Sequence, residues 1–289
     1  MRVGAKLAGL GLLLAATLGA LSRLEDVEEK LGLAYARQGD EKMSEFRQHE
    51  RRQGRTALLI GATGATGSKV LQELVDREDW TKVVVIGRRD PKVQSEKVTS
   101  IVMDMLDKDA KIDTASLHGI DHFFNCIGTT RADAGSADKF HDIEVGISER
   151  VAKAAKEAGI SHASVVSAQG ADPDRSFAPK WFHPLFYGKT IGLKERALTS
   201  QGFPRVTIFR PGMLMRPDAS RTLEKVAGAI LPSLDVALLA RAMVNDAETT
   251  PPPATSEEPV IFSGNSLIKK LAATFAPSTS SSSTTLSQE

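Results

Sequence analysis

The chain has 289 residues, of which 41% are hydrophobic and 25% charged, a balance typical of a globular protein with one large or two small domains. The formal net charge of +1 leaves no broad basic surface, which excludes nucleic acid as an expected partner. The single cysteine, Cys126, cannot form an internal disulfide and fits a reducing compartment. His118 and His122 have the spacing of ligands on a helix, but the intervening Gly119 favours a turn, and we expect no metal site.

The N-terminus carries a targeting or anchoring signal. Residues 7–22 are sixteen uncharged residues between basic flanks, which is marginal for a membrane span of about 20 residues and long enough for a signal-peptide core. The absence of acidic residues before Glu25 also permits a mitochondrial presequence, and a buried helix of the fold is a further alternative. We expect residues 1–24 to associate the protein with a membrane, mitochondrial or endomembrane, and the charged residues 25–55 to form a helical spacer.

The central region alternates short, apolar, β-branched runs with longer stretches of helical periodicity. This pattern predicts an α/β fold with a doubly wound parallel sheet, in one domain over residues 56–276. The predicted strands are residues 57–60, 83–86, 100–103, 122–126, 161–166, 206–209 and 260–262. The predicted helices are residues 70–77, 143–158, 235–245 and 267–275. A proline-rich loop is expected at 249–256, and the Ser/Thr-rich tail 277–289 is expected to be disordered.

A glycine-rich turn, GATGATG at residues 61–67, follows the first strand and opens the first helix. In this context glycines allow a tight turn and close approach to phosphate, and the helix N-terminus offers unpaired N–H groups. The alternative is a strand-to-helix turn that binds nothing. The turn predicts a Rossmann-type dinucleotide site. The residues expected to bind the pyrophosphate are Gly61, Thr63, Gly64, Ala65, Thr66 and Gly67.

The second strand ends in Arg88 and Arg89, where an NAD site would usually offer an acidic residue to the ribose. A guanidinium instead favours a 2′-phosphate, so we expect NADP(H), with NAD less favoured. The alternative is that both arginines are solvated and Asp90 binds the ribose. Asp104, after the third strand, is placed for adenine or is simply a turn residue.

Five sequence runs resemble the atypical short-chain dehydrogenase/reductases. They are GATGATG, IGRR at 86–89, IGTTRADAG at 127–135, VSAQGAD at 166–172 and FRPG at 209–212. Within that group the chain is similar to the Tat-interacting oxidoreductase-like proteins and their fungal relatives of the mitochondrial outer membrane. The resemblance spans roughly residues 56–217 and implies an NADPH-binding domain presumed to act as an oxidoreductase. It adds these cofactor residues: Met105, Ile127, Gly128, Thr129 and Pro211.

The resemblance also implies a catalytic serine, tyrosine and lysine. Ser167 occupies the serine position and Tyr187 is the tyrosine, but Ile191 stands four residues on, where the family has lysine. Lys189 is the remaining candidate, although two residues on a regular helix separate side chains by about 200°. A shifted helix start or a bulge would bring Lys189 onto the same face of the helix as Tyr187. Otherwise Tyr187 is a packing aromatic.

Five aromatic residues lie within residues 177–187, which the fold places near the nicotinamide end of the crevice. They form a substrate lid, the core of a long loop, or a membrane-facing patch. Arg131 and Lys139 either close over the ligand or lie in a solvated loop. Two functions follow: a membrane-associated NADP-dependent reductase of a carbonyl on an apolar small molecule, or a dinucleotide-binding regulatory protein with a protein partner and little turnover.

Overall fold

The computed structural model describes residues 54–107, 109–215, 233–249 and 258–274. The predicted targeting segment 1–24, the spacer up to residue 53 and the tail 277–289 lie outside the described residues. The strands are β1 (Arg55–Ile60), β2 (Trp80–Gly87), β3 (Val98–Val102), β4 (His122–Asn125), β5 (His162–Val166), β6 (Arg205–Arg210), β7 (Met213–Met215), β8 (Ser233–Asp235) and β9 (Val260–Ser263).

Seven α-helices are described around these strands. They are α1 (Ala65–Asp76), α2 (Arg131–Ala134), α3 (Ala137–His141), α4 (Ile147–Glu157), α5 (His183–Thr199), α6 (Val236–Thr249) and α7 (Asn265–Ala273). A π-helical turn, Asp142–Gly146, joins α3 to α4, and a 3₁₀ turn, Thr114–Leu117, precedes β4. None of these helices is both long and apolar enough to cross a bilayer.

The main sheet has seven parallel strands in the order β3-β2-β1-β4-β5-β6-β9. The chain moves outward from β1 to β3 and then returns to place β4 on the other side of β1. A crevice therefore opens at the carboxyl ends of β1 and β4, where the direction of winding reverses and where open α/β sheets bind ligands. The short strands β7 and β8 form a separate parallel pair.

Both faces of the central strands are buried, which is why those strands are runs of mainly apolar residues. Leu58, Ile60 and Phe123 pack on one face against α4 and the end of α5. Ala57, Leu59 and Phe124 pack on the other face against α1, α6 and α7. Alternate residues of each strand thus serve the two cores, and the doubly wound α/β fold predicted from the sequence is confirmed.

A buried polar cluster lies at the amino-terminal edge of the sheet, away from the crevice. His122 and His162 are in register on neighbouring strands, and their ring centroids are 4.1 Å apart. Each imidazole contacts a hydroxyl of the next strand: His122 with Ser164 at 3.0 Å and His162 with Thr207 at 2.9 Å. Burial lowers the pKa of both histidines, so both are neutral near pH 7.

Candidate functional site: a dinucleotide crevice

Gly61 and Gly67 are required by the packing of the turn itself. Gly61 has a φ of +81°, and a Cβ there would lie 2.4 Å from the carbonyl oxygen of Cys126. A Cβ at Gly67 would lie 2.1 Å from the carbonyl oxygen of Gly61. The backbone N–H of Gly64 donates to that same carbonyl at 2.9 Å. The turn therefore holds α1 tightly against the end of β1, and neither of these two positions has space for a side chain.

The N-terminus of α1 faces the crevice without a side-chain cap. Gly64, the residue before the helix, has no side chain to cap it, and no side chain of the described residues takes over that role. An anion such as pyrophosphate satisfies such groups and is stabilised by the helix dipole. Thr63 and Gly64 are exposed and Ala65 is half-buried, whereas the side chain of Thr66 is buried. The exposed hydroxyl of Thr63 is thus better placed to reach a ligand than that of Thr66.

Arg88 and Arg89 follow β2, whose end is in register with the end of β1. Both side chains are exposed, as is Asp90. Within the described residues, neither arginine forms a hydrogen bond or an ion pair. Two guanidinium groups therefore stand beside the glycine turn with their donors open to a ligand.

Asp104 and Met105 form the turn after β3. The Asp104 carboxylate is exposed and accepts from the backbone N–H of Leu106 at 3.0 Å, which is the turn role given above as the alternative. The Met105 side chain is buried in the core, and its carbonyl accepts from Arg150. A contact from Met105 to adenine would have to come from its backbone.

The loop after β4, residues 127–129, is fixed by a buried ion pair that sequence reasoning did not identify. Lys194 on α5 donates from Nζ to the carbonyl of Ile127 at 2.5 Å and to Oε2 of Glu144 at 3.1 Å. Oε1 of Glu144 accepts from the backbone N–H of Thr129 at 2.8 Å. The two charged side chains are only 2% and 3% exposed. They set the path of the Gly128 loop across from the glycine turn.

Ser167, at the end of β5, belongs to a second buried network. Its hydroxyl donates to the carboxylate of Glu195, which also accepts two hydrogen bonds from Arg210, at 2.8 and 2.7 Å. A bidentate arginine fixes the carboxylate and so fixes the orientation of the serine. The signal for this network was present in the FRPG run and in Glu195, but a sequence does not say which side chains meet.

Tyr187 lies on α5, which runs from His183 to Thr199 as regular helix without a bulge. Lys189 is therefore about 200° round the axis from Tyr187, and the rearrangement that would bring the two together is not present. Ile191 lies on the face of Tyr187 and is buried in an apolar cluster with Phe140 and Phe186. The catalytic assignment of Lys189 remains a prediction, with the helix geometry against it.

The aromatic segment before α5 divides into exposed and packed parts. Phe177, Trp181 and Phe182 are exposed, Trp181 by 76%, whereas Phe186 is buried in the apolar cluster. Arg131 donates to the carbonyl of Lys180 and so ties this segment to α2 rather than closing over the crevice. Lys139 is exposed.

Two further predicted positions border the crevice. Pro211 is buried after β6, and its carbonyl accepts from the backbone N–H of Gln169 at 3.1 Å, so the ends of β5 and β6 run on together. Cys126, at the end of β4, is buried, which raises the pKa of its thiol to about 12. A protonated, enclosed thiol is a poor nucleophile, which favours a structural role for Cys126.

The fold defines a dinucleotide-binding protein of the Rossmann class. It has a parallel sheet whose direction of winding reverses between β1 and β4, and an uncapped glycine turn at that point. The chain belongs to the NAD(P)H-binding family, whose model matches residues 61–247. It is 30% identical over 219 residues to Protein HTATIP2 of Rattus norvegicus, a match that covers 71% of this chain and 86% of that one. It is 36% identical over 160 residues to Protein FMP52-1, mitochondrial, of Scheffersomyces stipitis, covering 55% and 67%. The predicted family resemblance is confirmed.

Solved structures share the architecture at low identity. The oxidoreductase ylbE from Lactococcus lactis aligns with a TM-score of 0.53 and 17% identity, over 75% of this chain and 94% of that one. MoeE5 in complex with UDP-glucose and NAD aligns with a TM-score of 0.53 and 19% identity, over 72% and 75%. At these identities the likeness shows the fold alone.

Proposed function

We propose that this protein binds NADP(H) and reduces a carbonyl on an apolar small molecule, with Ser167 and Tyr187 at the substrate. The observation that carries the cofactor part is the combination of an uncapped helix N-terminus with Arg88 and Arg89, which follow the neighbouring strand and have no partner among the described residues. The first suits a pyrophosphate and the second a 2′-phosphate. The exposed N–H groups and guanidinium groups match the phosphates of a dinucleotide in charge and in hydrogen-bonding capacity, so the residues present fit the cofactor.

When bound, reduced NADP supplies the hydride for a carbonyl carbon. The chain's own contribution is to orient the substrate and to provide the proton. Ser167 and Tyr187 both border the carboxyl edge of the sheet, Ser167 directly after β5 and Tyr187 in the first half of α5. The buried aromatic cluster around Tyr187 supports an apolar substrate.

The cofactor assignment predicts a preference that two substitutions remove. In Arg88→Ala with Arg89→Ala we expect NADPH to bind about 10- to 100-fold more weakly, because charge-assisted contacts to a phosphate are lost, while NADH affinity stays the same. Fluorescence titration measures both dissociation constants. Lys82→Ala, which removes an exposed cation near the start of β2, is the matched control. Equal affinity of the wild type for NADPH and NADH would refute the assignment.

A second candidate function is dinucleotide binding without turnover, in service of a protein partner. It is favoured by Ile191, which is buried where a catalytic lysine is expected, and by the engagement of Ser167 with Glu195. NADPH oxidation assayed against aldehydes, ketones and quinones separates the two candidates. Turnover that Tyr187→Phe abolishes supports the reductase, and NADPH binding without oxidation of any class supports the second candidate.

We also propose that residues 1–24 associate the protein with a mitochondrial membrane. The proposal rests on the apolar run 7–22 and on the relatives of the FMP52 type, whose names call them mitochondrial. A fluorescent fusion of the full chain should co-sediment with mitochondrial membranes, and one lacking residues 1–24 should not. Identical distribution of the two fusions would contradict the proposal.

A further inference from the structure

One face of α5 carries a histidine directly before the tyrosine. His183 and Tyr187 are four residues apart, so their side chains lie one above the other, and their ring centroids are 5.8 Å apart. Phe140 on α3 packs against both rings, at 5.7 Å from His183 and 6.0 Å from Tyr187. The position one turn after Tyr187 is taken by the buried Ile191. A titratable side chain thus lies one turn before the tyrosine instead of one turn after it.

The imidazole of His183 has an unused nitrogen. Nδ1 is enclosed and has no hydrogen-bond partner among the residues that the structure describes. A buried polar atom without a hydrogen-bond partner is unfavourable for the fold, and a ligand or a catalytic role offsets that cost. The surroundings favour the neutral ring: burial first, and the charge of Arg131 on α2 second, lower the pKa of His183. A neutral imidazole offers one donor and one acceptor at pH 7.

The two lysines of α5 nearest to Tyr187 do not supply this group. Lys194 is committed to Glu144 and to the carbonyl of Ile127. Lys189 lies on the other side of the helix. Of the neighbouring elements, α3 places the uncharged Phe140 ring against His183, and the charge of Arg131 on α2 lowers the pKa of the imidazole.

We propose that His183 takes the role that a lysine would have at Ile191 and acts with Tyr187 as the acid–base pair of the substrate site. This inference rests on the reductase function proposed above. The carbonyl carbon accepts the hydride of the reduced nicotinamide, and the carbonyl oxygen accepts the hydroxyl proton of Tyr187. His183 then returns a proton from solvent to the tyrosine oxygen. One hydride and one proton are consumed for each alcohol formed, and both side chains end as they began.

The decisive experiment is NMR of the full chain labelled with ¹⁵N-histidine, with the His183 signals assigned by their loss in His183→Asn. We expect the titration midpoint of His183 to move in Tyr187→Phe, because the two groups share a proton path. We also expect the Nδ1 resonance to shift when 4-nitrobenzaldehyde is added to protein saturated with NADP⁺. The exposed His118 is the internal control and should change in neither case.

Kinetics of 4-nitrobenzaldehyde reduction give a second readout. His183→Asn should lower kcat about 100-fold or more and flatten the pH profile of kcat, since general acid–base groups typically contribute 10²- to 10⁴-fold. Its affinity for NADPH should stay as in wild type. The control variant His118→Asn should keep the kcat and the pH profile of wild type. Failure of NADPH to bind would refute the proposed function. The NMR titration of His183 in the protein without cofactor would still test whether His183 and Tyr187 are coupled. A His183 signal that responds neither to Tyr187→Phe nor to the aldehyde overturns this inference.

Discussion

The position of Lys194 along α5 suggests one role, and its contacts in the folded chain support another. It follows Tyr187 by seven residues, on the same face of α5, and suggests a catalytic cation. In the structure its Nζ lies between the Ile127 carbonyl and Glu144, and both charged side chains are almost fully enclosed. These two contacts hold the loop after β4.

Lys194→Met should therefore lower the free energy of unfolding by about 3–5 kcal/mol, because it leaves the Glu144 carboxylate buried and unpaired. Urea denaturation measures this loss. Adding Glu144→Gln should restore part of it, since the glutamine oxygen still accepts from Thr129 and no charge remains. Lys153→Met, which breaks an exposed pair with Glu157, should cost less than about 1 kcal/mol. Equal effects of the two lysine substitutions would contradict the buried pairing.

At the scale of elements, the histidines of β4 and β5 make stability depend on pH. Burial lowers the pKa of His122 and His162 below the ordinary value of 6.5, and nearby arginines lower it further. Below about pH 6.5 these two histidines therefore bind more protons in the unfolded chain than in the folded chain. The free energy of unfolding that comes from keeping these histidines neutral is complete above about pH 6.5 and is lost as the pH falls below that value.

We expect the free energy of unfolding to fall between pH 7.5 and pH 5, as measured by urea titration at each pH. His122→Gln with His162→Gln should make this dependence shallower, although the double variant starts from a lower stability. His118→Gln, at an exposed position, should leave the slope unchanged. A slope unaffected by the double substitution would show that other groups set it.

The central strands were predictable because burial on both faces selects runs rich in apolar, β-branched residues. Each predicted strand is present, from β1 to β9, with ends that shift by at most three residues. The helix expected at 70–77 begins earlier, at Ala65, because the glycine turn leads directly into it. β7 and β8 were missed, since strands of three residues carry no measurable periodicity.

The site was predictable only in part. The glycine turn and the arginines after β2 are local signals, readable from neighbouring residues. Three contacts of the site could not be predicted, because they depend on tertiary packing or on which residues of α5 share a face of the helix. They are Ser167–Glu195, Lys194–Glu144 and His183–Tyr187. The spacing of Lys189 from Tyr187 argues against their pairing, but only the structure shows that α5 has no bulge.

At the scale of the whole molecule, the cofactor crevice is assembled from elements distant in sequence. The glycine turn, the arginines after β2, the loop after β4 and Pro211 all lie at the carboxyl edge of one sheet. A ligand that contacts several of them binds only the folded chain. Saturation at about 100 times the dissociation constant should therefore add about 2.7 kcal/mol to its stability.

The carbonyl of Cys126 packs on Gly61, which gives the chain a built-in chemical reporter. Cys126 is the sole cysteine, and we expect its enclosed, protonated thiol to resist alkylation until the ends of β1 and β4 separate. The rate of labelling by iodoacetamide, followed by mass spectrometry, should therefore measure how often the edge of the sheet that carries the glycine turn opens. NADPH should slow labelling in proportion to its occupancy and NADH should slow it less. The experiment requires neither a substrate nor an engineered probe.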